Sequence, residues 1–154
     1  MKNHKMAYSL LIIFILTMAV LIFTVGCSGS KVQPSIEDQQ LQKMLGTWKT
    51  STVQVDGTDI TDQYTDFTIT FFKNGNTNEM IATNPGYAFY AGADVWVFAT
   101  SSQASKIIRS SDGIEMSVQV DQSNLTLLFN VPQASIGGRV AGMSGNFTFQ
   151  LVKK

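Results

Sequence analysis

Residues 67–83 read FTITFFKNGNTNEMIAT. Phe67, Ile69 and Phe71 alternate with Thr68 and Thr70, the period-two pattern of a strand with one apolar and one wet face. Asn74-Gly75-Asn76 then supplies the positive φ angles of a tight hairpin, and a second strand resumes at Thr77–Thr83. A turn this short forces antiparallel pairing. The centre of the chain is therefore an antiparallel hairpin.

The same grammar recurs about every ten residues in both directions. It predicts eight strands, near Thr47–Val55, Asp66–Lys73, Thr77–Thr83, Val95–Thr100, Lys106–Arg109, Ile114–Val120, Leu125–Val131 and Gly145–Val152. Asp56-Gly57, Asn84-Pro85-Gly86, Asp112-Gly113, Gln122-Ser123-Asn124 and Gly137-Gly138 punctuate them. Short turns between consecutive strands make an up-and-down meander, which closes into a barrel or splits into a sandwich. Ile114, Met116, Val118 and Val120 alternate with Glu115, Ser117 and Gln119, and Phe147, Phe149 and Leu151 with Thr148 and Gln150, so one face is apolar, as closure requires. Val95-Trp96-Val97-Phe98 is apolar on both faces, which predicts a cover on its outside.

One helix precedes the strands. Ser35-x-x-Asp38 reads as a capping box, and Ile36, Leu41, Met44 and Leu45 are spaced to form one apolar face. Gly46 ends it. This helix, Ser35–Leu45, is the expected cover for the Val95–Phe98 strand.

The first 26 residues differ in kind. Lys2, His4 and Lys5 form a basic head, and Leu10–Phe23 (LLIIFILTMAVLIF) carries no charge. Head, apolar core and small residues before a break describe a secretory signal peptide. The uncharged run from Ala7 to Gly26 also matches the ~20 residues of a membrane span. The single cysteine separates these readings. Thr24-Val25-Gly26-Cys27 resembles the bacterial lipobox, in which small residues precede a cysteine that is lipidated and becomes residue one. A thioether to diacylglycerol needs a soft nucleophile, and the processing peptidase needs small neighbours. The resemblance implies a lipid-modified, palmitate-bearing Cys27 that holds the protein to the membrane. Thr24 stands where leucine is usual.

The organisation that follows is a signal peptide over 1–26, a lipidated tether over 27–34 and a barrel domain over 35–154. Seven extended tether residues reach about 25 Å, enough to clear the head groups. Ser28 stands where an aspartate would signal inner-membrane retention in lipoproteins, which implies the outer membrane of a Gram-negative envelope. Only Lys2 and Lys5 of the eleven basic residues precede Cys27, so the remainder carries nine against eleven acidic ones, a net charge of −2. That argues against nucleic acid as a partner.

Leu45-Gly46-Thr47-Trp48-Lys49 carries a second resemblance. A Gly-x-Trp on the first strand after a short helix is similar to the calycins, and the wider pattern resembles small bacterial lipocalin-like lipoproteins. In these a tryptophan strand falls midway, here Val95–Phe98, and the chain ends in Gly-x-Phe-x-Phe, here Gly145–Phe149. The resemblance implies a lipocalin-like, eight-stranded antiparallel barrel in which Gly46 lets the helix turn into the strand and Trp48 plugs the floor. The Thr-Asp-Tyr turn of true lipocalins is absent; Asp121-Gln122-Ser123-Asn124 stands there. The segment from Asp56 to Thr65 is too short for the lid helices of fatty-acid-binding proteins.

Chemistry is sparse. His4 is the only histidine, and with Cys27 acylated no thiol remains, which removes the usual general base and most zinc sites. Asp56, Asp59, Asp62 and Asp66 share one loop (DGTDITDQYTD), yet the alternate-residue spacing of a calcium loop is missing and aspartates favour turns for their own reasons. No enzyme, cofactor or metal is expected. The aromatic loop Asn84–Asp94 (NPGYAFYAGAD) is the better lead, with Tyr87, Phe89 and Tyr90 either gating the barrel or covering its end. With the inward residues Phe67, Phe71, Trp96 and Met116, these form the candidate ligand-binding set. Eight strands leave room for side chains or one small ligand, and the inward set, Phe129, Phe147, Phe149 and Leu127 included, is bulky. The expectation is a monomeric, non-catalytic, lipid-anchored envelope protein that binds a small apolar ligand. The alternative is a solid-cored module that meets a protein or glycan, such as an inhibitor of an envelope enzyme.

Overall fold

The computed structural model describes residues 33–90, 92–100, 104–132 and 143–154. The readings made on the signal peptide, on Cys27, on most of the tether and on Gly137-Gly138 lie outside them. Pro34–Lys154 forms one compact unit.

Helix α1 (Ile36–Met44) starts as its sequence dictates. The Ser35 hydroxyl accepts the Asp38 N–H at 3.0 Å, and Glu37 and Asp38 place negative charge at the first turn. Leu41 and Met44 are buried, but Ile36 is 63% exposed, so the apolar face is narrower than the spacing predicted. Ile36 sits at the helix start, a turn away from the residues that reach the barrel.

Nine strands follow: β1 (Gly46–Val55), β2 (Thr58–Asp59), β3 (Thr68–Asn74), β4 (Thr77–Thr83), β5 (Gly92–Phe98), β6 (Lys106–Arg109), β7 (Glu115–Val120), β8 (Asn124–Val131) and β9 (Gly145–Lys153). All pairings are antiparallel, and β1 also pairs β9, so eight of the strands close into a barrel. The ninth, β2, is a two-residue flap on the end of β1. Asp56-Gly57 makes the expected tight turn but folds the chain back on β1 rather than on to the next barrel strand. A single 3-10 turn (Thr61–Tyr64) then carries the chain across to β3.

β1 holds the barrel shut by serving two neighbours in succession. Gly46–Lys49 pair with β3, Trp48–Val55 pair with β9, and the register shifts between Thr50 and Thr52. At its start Trp48 is fully buried and donates Nε1–H to the Met44 carbonyl at 2.8 Å, which pins the strand to the last turn of α1. The Lys153 ammonium lies 5.2 Å from the centre of the Trp48 ring, within cation–π range.

The alternation read from the sequence is the alternation of the barrel wall. Ile69, Phe71, Met116, Val118, Phe147, Phe149 and Leu151 are buried, with polar neighbours outside. The expected cover on the Val95–Phe98 strand is not there: α1 packs towards β7, and Val95 and Val97 stay 38% and 50% exposed. Exposed valines on a strand cost little, so the double-sided apolar pattern carried no demand for a second layer. The strand itself begins three residues earlier than predicted, at Gly92.

Candidate functional site

Each barrel strand reverses the one before, so the connections 84–90 and 110–114 meet at the end opposite α1. Three side chains organise that end. Tyr64, from the 3-10 turn, is buried beneath the aromatic loop, and its hydroxyl accepts the Tyr87 N–H at 3.3 Å. Burial raises the Tyr64 phenol above its ordinary pKa, outweighing that hydrogen bond.

Phe89 turns inward and acts as the stopper. Its ring centre lies 5.3 Å from those of Phe67, Phe129 and Phe149 alike. Below it Tyr64 meets Phe149 edge-on at 5.1 Å, and Phe129 stacks on Phe147 at 5.6 Å. Such rings gain about 0.5–1.5 kcal/mol per pair beyond the area they bury.

Arg109 is the only charged residue buried among the described residues, at 2% exposure. It ends β6 facing inward, directly across from Trp96. Asp112 holds it from the β6–β7 turn: Nε donates to Oδ1 at 2.9 Å and Nη2 to Oδ2 at 2.5 Å. Nη1 donates to the Ala88 carbonyl at 3.0 Å, which ties the aromatic loop to the turn. The guanidinium lies 5.2 Å from the Phe89 ring centre, 5.7 Å from Tyr90 and 5.9 Å from Phe129. Burial works to raise the Asp112 pKa, but the guanidinium and the Ile114 N–H outweigh it and hold the carboxyl below its ordinary value.

Above the stopper, Tyr87, Phe89, Tyr90, Arg109, Asp112 and Ile114 line a cleft of about 180 Å³. Tyr87 and Tyr90 flank it, each 58% exposed. A second hollow, of about 260 Å³, lies against Gln119, Asp121 and Asn124. There Asp121 already accepts from the N–H groups of Ser123 and Asn124, so the hollow is a satisfied turn.

The candidate residues therefore fall into two groups. Tyr87, Phe89 and Tyr90 come together at the cleft. Phe67, Phe71, Trp96 and Met116 lie in the barrel interior with 1% exposure or less, in contact with other side chains. Trp96 meets Phe71 and Phe98 edge-on, at 5.9 and 5.2 Å. Its Nε1 and the Asn78 Oδ1, on residues directly opposed across β4 and β5, are buried without a hydrogen-bond partner among the described residues. Gly46 and Trp48 sit at the helix end. Sequence reading missed Arg109, Asp112 and Tyr64. Arg109 and Asp112 stand at i and i+3 across a turn, which was a legible signal; nothing local marks Tyr64.

Two aspartates of the 56–66 loop are engaged within the protein. Asp56 accepts from the backbone and side chain of Asn146, and Asp59 from Thr61, and these bonds lower both carboxyls below their ordinary pKa. Among the described residues no group of three metal-ligating side chains converges.

The closed eight-stranded antiparallel barrel with one helix is an architecture compatible with a lipocalin-like fold. Compared with known proteins, the chain matches no family model, no curated sequence and no solved structure.

Proposed function

We propose that this protein is a lipid-anchored, non-catalytic binding protein of the cell envelope, lipocalin-like in kind, that takes a small apolar ligand at the end of its barrel opposite α1. The observation that carries the reading is the cleft of about 180 Å³ between Tyr87 and Tyr90, built over Arg109 and stoppered below by Phe89. A rigid barrel that presents aromatic side chains on a loop braced from beneath is a common way to hold a ligand. The interior positions are occupied by the protein's own rings, which supports a binding place at the mouth rather than in the lumen. The lipobox-like Thr24–Cys27 supports the anchor, and Gly46 and Trp48 support the lipocalin-like kinship.

The packed interior also favours a second reading, in which Tyr87 and Tyr90 meet a protein or glycan instead. A native mass spectrum of the protein released from its own membranes separates the two. A reproducible small-molecule adduct, lost in Tyr87→Ala/Tyr90→Ala, supports the first; a bare mass sinks it. The anchor has its own test. Cys27→Ala is expected to abolish acyl labelling and shift the protein out of the outer-membrane fraction, and unchanged attachment overturns it.

A further inference from the structure

The mouth of the barrel combines an aromatic cleft with an ion pair, and the geometry of that pair restricts what the cleft can hold. Resting on the mouth-binding reading above, we propose that the cleft selects a small, flat, electrically neutral ligand that carries a hydrogen-bond acceptor, and rejects carboxylates and cations. A buried arginine in a binding cleft is ordinarily an invitation to an anion. Here the invitation is already taken. Asp112 engages Nε and Nη2 side-on, and its carboxylate is held in place by the Ile114 N–H at 3.1 Å.

An incoming carboxylate would leave water, which costs several kcal/mol per ion, and would meet Asp112 rather than an unpaired cation. An incoming ammonium would leave water at a similar cost, and Asp112, the more exposed partner, is already neutralised by Arg109. A neutral group faces neither cost. Arginine has five N–H donors, and three are engaged by Asp112 and Ala88, so two have no partner among the described residues. A ligand carbonyl or ring nitrogen offers them an acceptor. The walls set the shape, because Tyr87 and Tyr90 offer aromatic faces and Ile114 and Val131 apolar ones. The size follows from the volume: about 180 Å³ is close to the ~150 Å³ cavity that accommodates benzene.

The test uses benzamide, benzoate and benzylammonium as neutral, anionic and cationic probes of one shape. The lipid-anchored protein, labelled with 3-fluorotyrosine and held in phospholipid nanodiscs, reports through Tyr64, Tyr87 and Tyr90. Benzamide is expected to shift the Tyr87 and Tyr90 fluorine resonances saturably, with the two charged probes weaker by at least about tenfold, a difference of ~1.4 kcal/mol. Asp112→Asn, which uncovers the arginine charge, is expected to raise benzoate affinity relative to benzamide by a similar factor, and Asp112→Glu to restore the wild-type order. Equal affinity for the three probes in the wild-type protein overturns the charge selection and leaves mouth binding standing. If no probe moves Tyr87 or Tyr90, mouth binding itself is overturned, and the selection falls with it.

Discussion

The hydroxyl of Tyr64 accepts the backbone N–H of Tyr87 across 23 residues of chain, and in doing so braces the aromatic loop from inside the barrel. Tyr64 is 2% exposed while Tyr87 is 58% exposed, so one bond links the core to an exposed wall of the cleft. The ring of Tyr64 also lies directly beneath Gly86, where an added Cβ would come within 2.6 Å of it. The loop that carries the candidate site is therefore set on a core residue rather than draped over the opening.

Tyr64→Phe keeps the ring and removes the acceptor. The expected cost is about 1 kcal/mol, the net value of one ordinary hydrogen bond. Urea unfolding reads that loss, and amide exchange at Tyr87 should quicken with it. Unchanged exchange at Tyr87 would show that the bond does not hold the loop.

Gly86→Ala and Gly75→Ala separate backbone strain from crowding. Both glycines have positive φ, +56° and +60°, so either alanine bears the left-handed penalty of about 1–2 kcal/mol. At Gly75 nothing lies within 4 Å of the new Cβ, whereas at Gly86 it meets Tyr64. Overpacking adds roughly 1–3 kcal/mol, so Gly86→Ala should be the more destabilising of the two by that margin. Equal losses in thermal unfolding would mean that the loop gives way at no cost.

Arg109→Met leaves Asp112 without its partner and the Ala88 carbonyl without its donor. Breaking a buried pair costs about 3–5 kcal/mol, and the lower end applies because Asp112 still reaches water. Chemical denaturation should record a loss near 3 kcal/mol, and Arg109→Met/Asp112→Leu should recover part of it. A loss no larger than that of a surface substitution would place the guanidinium outside the folding energetics.

Stability should fall in acid through Asp112. Its folded pKa lies below the ordinary value, so the stabilisation is present above the unfolded carboxylate pKa and is lost as pH falls through the folded one. The window therefore lies below about pH 3.9, the unperturbed aspartate value. The exposed carboxyls of Asp56, Asp59 and Asp121, lowered by hydrogen bonds from Asn146, Thr61 and Ser123, act in the same direction. Asp112→Asn should flatten the acid limb of a stability–pH curve measured by thermal melts. An unchanged limb would assign acid sensitivity elsewhere.

Val97→Thr tests the bare outer wall. Val97 is half exposed on β5, and surface substitutions of this kind stay within about 0.5 kcal/mol. A loss of core size on denaturation would mean that something covers that strand after all.

The sequence by itself determined the strands and their faces. Hydrophobic alternation at Phe67–Phe71, Met116–Val120 and Phe147–Leu151, with Asn-Gly and Asp-Gly at the turns, is local information, and local physics decides a hairpin. It also marked Tyr87, Phe89 and Tyr90 as a group, because three aromatics in eleven residues of a loop are visible without a fold. Tertiary structure alone decided which of them plugs the barrel and which line the cleft. Phe89 points inward because Phe67, just before β3, Phe129 of β8 and Phe149 of β9 converge there, a meeting that only closure creates. Closure likewise buried Arg109, placed Asp112 and Ala88 around it, and set Tyr64 under a loop 23 residues distant. It also left Val97 and Ile36 in water, because apolar spacing tells a helix or strand which side is greasy but not whether anything will come to cover it.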